Sequence, residues 1–137
     1  RADVEDPQGY GQLASEYNLA LFPYFSLASG FLTGKYATRD DLHGVARESM
    51  MAAYLPDDEH EKAAFTVLDQ LREIAGDHGV EVTSVSLAWL MAKGVTAPIA
   101  SARTVDQLGP LLAATDLTLS HDEVCALDAA SELFTRD

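Results

Sequence analysis

Two short apolar segments, separated by helical sequence, constrain the fold of this chain more than any other feature. Residues 19–24 and 95–99 each read as a short buried β-strand, and helical sequence lies on both sides of each segment. Strands that alternate with helices usually pair in parallel. Two strands alone make a poor sheet, and a parallel sheet needs both faces covered. We therefore expect these strands to pair with others that this sequence does not supply.

Five helices are predicted around the two strands. The clearest spans residues 60–78, where apolar residues recur at helical spacing and Gly79 follows as the terminating residue. The other four are residues 7–17 ended by Asn18, a helix capped by Thr83 and ended by Gly94, one opened by the capping box Thr104–Gln107, and one opened by the capping box Ser120–Glu123. Pro23 is expected to weaken the first strand near its end.

Composition excludes several classes of function. The formal net charge of −13 disfavours nonspecific binding to nucleic acid or to anionic lipid. No apolar run is long enough for a membrane span, and residues 1–7 do not resemble a signal peptide. The single cysteine, Cys125, excludes an internal disulfide and fits a reducing, cytoplasmic compartment. Because it falls in the apolar stripe of the last helix, we expect its side chain to be buried.

The first candidate site follows the first strand directly, in residues 25–36. Gly30 and Gly34 allow the backbone to approach a ligand, three hydroxyl groups can donate hydrogen bonds, and Lys35 supplies a positive charge. The spacing of a P-loop is absent. The segment begins a stretch, residues 25–58, that is too long for a simple connection. Its chemistry indicates a phosphate-binding loop, with an ordinary glycine-containing loop as the alternative.

The second candidate site follows the second strand, in residues 100–103. A helix N-terminus placed after a strand is a ready anion site, and Arg103 beside it can bind a phosphate through two parallel hydrogen bonds. A solvated arginine near a helix cap is the alternative. The four histidines show no metal-ligand spacing and no neighbouring nucleophile, so we interpret them as surface residues and predict no metal site: His43, His60, His78 and His121.

Together, the two candidate sites resemble one family, the bacterial aldo-keto reductases. Residues 23–36 (Pro-Tyr-Phe-Ser-Leu-Ala-Ser-Gly-Phe-Leu-Thr-Gly-Lys-Tyr) are similar to the segment after strand seven of that family. Residues 80–104 resemble its passage from the seventh helix through strand eight, and residues 116–131 its closing helix. The resemblance covers almost the whole chain. It implies an α/β fold, a partial (β/α)8 TIM barrel comprising roughly the last two strands with their helices and a C-terminal helix.

The resemblance also implies a function. The family transfers a hydride from NADPH to an aldehyde or ketone. Its loop after strand seven covers the pyrophosphate, and its loop after strand eight holds the 2′-phosphate of the adenosine. In this sequence the corresponding residues are Ser26, Leu27, Ser29, Thr33 and Lys35 for the pyrophosphate and Ser101, Arg103 and Gln107 for the 2′-phosphate. Arg47 lies near a position where relatives often have a basic contact.

Two departures from the family qualify this assignment. Relatives commonly bind adenine with Glu and Asn, where this chain has Pro110 and Leu111. The catalytic Asp, Tyr, Lys and His lie on the first half of the barrel, outside residues 1–137, so no catalytic residue is assigned here. Tyr24 and Tyr36 do not match the motif of the proton donor, and we expect both to lie in the core or at the rim. The chain alone is therefore expected to reduce no carbonyl compound.

Three interpretations remain open from the sequence. The single segment of residues 1–137 is the NADP(H)-binding C-terminal portion of a carbonyl reductase that acts on a small-molecule substrate. Alternatively, it is a non-catalytic truncated paralogue, a nucleotide-binding or assembly module that associates with itself or with the missing half-barrel through exposed strand flanks. The third interpretation is a fragment left by proteolysis, which the absence of an initiator Met also fits.

Overall fold

The computed structural model describes residues 9–135, within which the regular structure is helical. Six α-helices are present in this range: α1 Tyr10–Tyr17, α2 Glu48–Ala52, α3 Asp58–His78, α4 Val82–Ala92, α5 Leu108–Ala113 and α6 His121–Ala130. Four 3-10 turns lie between or after them, at Ala28–Thr33, Arg39–Leu42, Val105–Gln107 and Glu132–Thr135. No helix in the described range is long and apolar enough to span a bilayer.

Helix α3 is the longest element, and its sequence explains both ends. The carboxylate of Asp57 accepts a hydrogen bond from the backbone N–H of His60 at 2.9 Å, which satisfies one of the unpaired donors of the first turn. Gly79 ends the helix in the left-handed conformation at φ 65°, where glycine is favoured. Its apolar face is buried over the central turns of the helix: Ala64, Val67, Leu68, Leu71, Ile74 and Ala75. The predicted helix is confirmed, with its start two residues earlier.

The core lies where α3, α4 and α6 pack against one another. Leu68 and Leu71 of α3, Val85 of α4 and Leu127 of α6 are completely buried. Helix α4 is enclosed on nearly every side, because six consecutive residues, 84–89, are buried. A helix enclosed in this way must satisfy its polar side chains internally, which matters for the site described below.

The two predicted strands lie side by side but do not form a β-sheet within residues 9–135. The carbonyl of Leu21 accepts the backbone N–H of Ala97 at 3.3 Å, and the carbonyl of Pro23 accepts that of Ile99 at 2.9 Å. A step of two residues along both segments, in the same direction, is the alignment of a parallel pair.

Pro23 and Leu21 explain why this pair is incomplete. In a parallel ladder, a residue whose carbonyl accepts from the partner strand also donates its own N–H to that strand. Pro23 has no N–H to donate, and the N–H of Leu21 donates to the hydroxyl of Thr96 at 3.0 Å instead of to a backbone carbonyl. The predicted α/β partial barrel is therefore not confirmed by residues 9–135, in which no β-strand forms. What forms is a helical structure with two extended segments, which we call the paired segments and define as residues 21–23 and 96–99.

The remaining predicted helix ends are partly confirmed. Asn18 ends α1 in the left-handed conformation at φ 52°, as expected, while residues 7 and 8 of the predicted helix lie outside the described range. Ser120 and Glu123 form the predicted capping box. Thr83 is not an N-cap, because α4 begins one residue earlier, at Val82, directly after the extended residue Glu81.

The long connection after the first paired segment is ordered by contact with the core. It contains two of the 3-10 turns and helix α2, in agreement with the expectation that it is more than a simple connection. The side chains that bury it against α3 and α4 are apolar and distributed along it: Phe31, Tyr36, Leu42, Met51 and Leu55. This contact positions the glycine-containing stretch on the helical core.

Candidate functional site

The two candidate segments start next to each other. We call residues 24–36 the glycine loop and residues 100–107 the Arg103 segment, and each follows one of the paired segments. The carbonyl of Pro23, the last residue before the glycine loop, accepts both the backbone N–H of Ile99 at 2.9 Å and the hydroxyl of Ser26 at 2.8 Å. Because the paired segments run in the same direction, both candidate segments leave them at the same end.

The backbone of the glycine loop is unusual at three consecutive residues. Ala28, Ser29 and Gly30 have φ values of 46°, 59° and 100°, all in the left-handed region. Glycine adopts this region freely, whereas alanine and serine do so at a cost of about 1–3 kcal/mol each. Conformations of this kind are concentrated in ligand-binding loops, where the surrounding structure enforces them. The turn therefore marks this loop as a candidate site independently of its sequence.

The hydroxyl groups of the loop divide into two kinds. Those of Ser26 and Thr33 bind the loop itself, since they donate to the carbonyls of Pro23 and Gly30, each at 2.8 Å. The hydroxyl of Ser29 is buried and has no hydrogen-bond partner within residues 9–135. A buried unpaired hydroxyl is costly and calls for an explanation. A ligand atom that binds to Ser29 would supply one.

Lys35 is the exposed cation of the glycine loop. Its ammonium group lies 4.8 Å from the ring centroid of Tyr36 and 4.0 Å from the position that a Cβ atom on Gly30 would occupy. The charge therefore stands beside the left-handed turn. Leu27, half-buried, precedes this turn, and its carbonyl accepts the backbone N–H groups of Gly30 and Leu32. Tyr36 itself is buried and Tyr24 is exposed, so the expected core and rim positions are both found.

Helices α3 and α4 fasten the far half of the glycine loop. Arg72 of α3 donates to the carbonyls of Gly34 and Tyr36, at 3.2 Å and 2.5 Å. Ser86 of α4 donates its hydroxyl to the carbonyl of Leu32 at 2.8 Å. Sequence reasoning missed both residues. The available signal was a serine on an enclosed helix, whose hydroxyl must find a partner when it is buried.

The Arg103 segment differs from its prediction in how it is capped. The side chain of Gln107 accepts the backbone N–H of Arg103 at 2.8 Å, one residue before the expected partner Thr104, whose own side chain makes no cap hydrogen bond. The segment then forms a 3-10 turn, Val105–Gln107, before the six-residue helix α5. The predicted capping box is therefore not formed, and a 3-10 turn stands where the start of an α-helix was expected. Ser101 and the side chain of Arg103 are exposed beyond the paired segment.

Helix α4 also anchors this second segment. The hydroxyl of Ser84 donates to the carbonyl of Pro110 at 2.7 Å. Ser84 and Ser86 are both buried, so one helix holds the glycine loop through one serine and the helix after the Arg103 segment through the other. The relative position of the two candidate segments is thus fixed by the paired segments at one end and by α4 at the other.

Charge distinguishes Lys35 and Arg103 from several other cations of the molecule. Arg39, Arg72 and Lys93 each form an ion pair with a carboxylate, Glu61, Asp69 and Asp128 respectively. Lys35 and Arg103 form no ion pair with any residue of the described range, a property that they share with Arg47 and Lys62, although the chain carries a net charge of −13. What sets Lys35 and Arg103 apart is their position, because each follows one of the paired segments. Cations without a carboxylate partner are suited to hold an anionic ligand.

The remaining candidate residues are the histidines and Arg47. His43, His60 and His78 lie within 3.1 Å of a carboxylate oxygen of Glu48, Asp57 and Glu123 respectively, and no metal-binding group of three or more ligands occurs among residues 9–135. Arg47 is exposed and directly precedes α2, and its predicted role stays a prediction.

Cys125 is exposed, so its predicted burial is wrong. Val124 and Leu127 of α6 face the core, and Cys125 falls on the opposite side of the helix from Leu127 because two helical residues subtend about 200°. Its sulfur lies 3.5 Å from Nε2 of His121, one turn earlier on the same surface.

Comparison with known proteins gives one consistent family. The sequence profile of the Aldo/keto reductase family matches residues 4–132. The chain is similar to an aldo-keto reductase of Strobilurus tenacellus (26% identical, covering 95% of this chain and 39% of the relative) and to an aldo-keto reductase of Aspergillus calidoustus (30% identical, 88% and 30%). It is also similar to an uncharacterized oxidoreductase of Mycobacterium tuberculosis (32% identical, 96% and 38%).

Coverage of the relatives is therefore partial, since the chain spans no more than 39% of the length of these three proteins. Coverage of the chain by the family profile is nearly complete, and it includes the glycine loop, the Arg103 segment and all six α-helices. The chain belongs to the aldo/keto reductase family.

Proposed function

We propose that this chain is the cofactor-binding portion of an NADP(H)-dependent aldo-keto reductase that reduces aldehydes or ketones to alcohols. The family implies a (β/α)8 barrel for the whole protein, and the paired segments would be the last two of its strands. The catalytic Asp, Tyr, Lys and His would lie in the remainder of this barrel, upstream of the chain. A cytoplasmic location fits the single cysteine.

One observation supports the proposal most directly, the hydrogen bond between the carbonyl of Pro23 and the backbone N–H of Ile99 at 2.9 Å. It joins the starts of the two segments, each of which carries a cation without an acidic partner in the described range. NADPH presents two separate phosphate groups, the pyrophosphate and the 2′-phosphate. Two cationic segments that leave one end of the molecule match this arrangement in number and in sign of charge.

In each segment, some residues would contact a phosphate group and others would hold the backbone in shape. Lys35 and the unpaired hydroxyl of Ser29 would hold the pyrophosphate, while Ser26, Leu27 and Thr33 shape the loop around them. Arg103, with Ser101, would hold the 2′-phosphate through the two parallel hydrogen bonds that a guanidinium offers. Gln107 would orient this segment rather than contact the ligand, because its side-chain oxygen is bound to the backbone N–H of Arg103.

The adenine would receive little specific recognition. Pro110 and Leu111 offer no side-chain hydrogen bond, so affinity would depend on the phosphate groups. The nucleotide would supply the hydride, and this chain would bind and orient the nucleotide while the carbonyl substrate is held elsewhere.

The test is a fluorescence titration of the chain with NADPH and with NADH. We expect tighter binding of NADPH by about tenfold or more, since a charge-assisted hydrogen bond contributes roughly 1.5–3 kcal/mol. Arg103→Met should remove the preference for NADPH, whereas Lys35→Met should weaken the binding of NADPH and of NADH by the same factor. Lys62→Met, which removes an exposed charge on α3, serves as the matched control. Absence of saturable binding, or equal effects of all three substitutions, would contradict the proposal.

A second candidate is favoured by the apolar side chains exposed on the paired segments. Phe22 and Ile99 are 55% and 53% exposed, which is unusual for strand-like residues. A non-catalytic nucleotide-binding or assembly module would use this surface for association. Intact mass spectrometry of the protein purified from its source separates the candidates, because a reductase requires a chain much longer than 137 residues.

A further inference from the structure

Arg72 forms an unusually specific contact with the glycine loop. Its Nη2 atom donates to the carbonyls of Gly34 and Tyr36, the two residues that flank Lys35. Its Nη1 atom donates to the carboxylate of Asp69, one turn earlier on α3, at 2.8 Å. The guanidinium is thus bound on one side to its own helix and on the other to the backbone around Lys35.

This geometry requires an arginine. Two carbonyls and a carboxylate are reached at once because the guanidinium is planar and carries five donors in a fixed arrangement. A lysine ammonium is a single point of charge and would keep only part of the set. The charge of Arg72 is also offset by Asp69, with which it forms an ion pair. Arg72 is therefore suited to hold backbone rather than to bind an anion directly.

The contact limits the freedom of Lys35. The backbone is tied on both sides of it, and the adjacent Tyr36 is buried with its ring 6.4 Å from that of Phe31 in a stacked arrangement. The lysine side chain then starts from a fixed point, with its ammonium beside Gly30. Ordering a free lysine side chain on binding has an entropic cost, which decreases when its backbone is already fixed.

We propose that Arg72 is a positioning residue, which holds Lys35 in place for the phosphate of the nucleotide without touching the nucleotide itself. The inference rests on the proposed function, because it assigns Lys35 the binding contact. It predicts that Arg72 and Lys35 act as one unit. The alternative is a simple brace, in which Arg72 stabilises the fold and affects binding independently of Lys35.

A double-mutant cycle measured by NADPH titration separates these cases. Lys35→Met alone should weaken binding about tenfold or more, and Arg72→Met alone about fivefold. In the Lys35→Met background, Arg72→Met should change the affinity by less than about twofold. Arg72→Lys should also weaken binding, though less than Arg72→Met, because a lysine ammonium keeps the charge but only part of the hydrogen bonds that the guanidinium makes. Equal effects of Arg72→Met in both backgrounds would overturn the inference in favour of the brace.

Arg39→Met is the matched control for this cycle. Arg39 also links the connection after the first paired segment to α3, through Glu61, but it lies beyond the glycine loop. Its loss should leave NADPH affinity within about twofold of the wild type, as expected for an exposed ion pair. A loss of affinity as large as that of Arg72→Met would show that any link to α3 matters, and would overturn the specific role.

A second measurement makes the inference independent of nucleotide binding. If the wild-type chain fails to bind NADPH, the proposed function fails, and the positioning role is then decided by backbone NMR order parameters in the free chain. Arg72→Met should lower the values of Lys35 and Tyr36 from about 0.85 to below about 0.6, while α6 stays rigid. Unchanged values at residues 34–36 would overturn it.

Discussion

At the scale of single residues, the glycine loop combines features that cost stability. Ser29 has a left-handed backbone and a buried hydroxyl without a partner in the described residues. Ser26, three residues earlier, is also buried, but its hydroxyl binds the carbonyl of Pro23. The two buried serines therefore differ in whether the hydroxyl has a hydrogen-bond partner within the described part of the protein. The paired hydroxyl of Ser26 has a structural role, whereas the unpaired hydroxyl of Ser29 is free to bind a ligand.

This difference predicts that Ser29→Ala changes stability and NADPH affinity in opposite directions. Ser29→Ala should raise the free energy of unfolding by about 1 kcal/mol, because it removes an unsatisfied buried group. The same change should weaken NADPH binding about threefold or more, since the hydroxyl would otherwise bind the phosphate. Urea denaturation and fluorescence titration measure the two effects.

Ser26→Ala is the control for this prediction, and it should lower the free energy of unfolding by about 1 kcal/mol through the loss of a satisfied hydrogen bond. If Ser29→Ala lowers stability as well, its hydroxyl is not the unsatisfied group described above. If Ser29→Ala leaves NADPH affinity unchanged, the hydroxyl of Ser29 has no role in binding.

At the scale of elements, the helices could be predicted well where local chemistry decides them. The apolar face of α3, its end at Gly79, the end of α1 at Asn18 and the capping box of α6 all follow from side chains within a few residues of each other. Such signals are local, so they do not depend on which partner the element packs against.

Elements that depend on distant partners were predicted less well. The two predicted strands do not form a ladder because N–H donors are needed on both segments, and the first segment supplies none to the backbone of the second. Pro23 has no N–H, and the N–H of Leu21 binds the hydroxyl of Thr96. The capping box at Thr104 failed because Gln107 binds the backbone of Arg103 instead, a choice between adjacent donors that sequence spacing does not decide. The roles of Arg72 and Ser86 depend on contacts 38 and 54 residues apart in sequence.

The capping box of α6 predicts a dependence of stability on pH. The backbone N–H of Ser120 donates to the carboxylate of Glu123 and, with smaller contributions from the Ser120 side chain and His78, holds the pKa of Glu123 below its usual range. A carboxyl group whose pKa is lowered by folding stabilises the protein above its unfolded pKa. That stabilisation disappears as the pH falls through the folded pKa.

Glu123→Gln should therefore be less stable than the wild type at pH 7, and the difference should shrink as the pH falls below about 4.5. Urea denaturation at pH 7 and pH 3.5 measures the difference. Glu16→Gln, an exposed carboxylate on α1, is the matched control and should show no comparable trend. A difference between wild type and Glu123→Gln that stays constant with pH would mean that the capping carboxylate does not titrate as described.

At the scale of the whole molecule, two opposing features govern association. Apolar side chains are exposed on and beside the paired segments, among them Leu19 at 62%, Phe22 at 55% and Ile99 at 53%. Burial of such a surface favours contact with another surface. The net charge of −13 opposes contact between two copies of the chain, because like charges repel.

Salt should shift this balance, since the Debye length falls from about 10 Å at 0.1 M to about 3 Å at 1 M salt and screens the repulsion while the apolar contact persists. We therefore predict that the weight-average mass of the chain in analytical ultracentrifugation rises between these two salt concentrations. The double variant Phe22→Ser with Ile99→Ser should reduce the rise, whereas Met50→Ser, an exposed apolar residue of α2, should not. A monomer at both salt concentrations would mean that charge repulsion alone does not keep the chains apart, and that the exposed faces of the paired segments have little affinity for each other. If the mass of the double variant rises with salt as much as that of the wild type, the chains associate through a surface other than the paired segments.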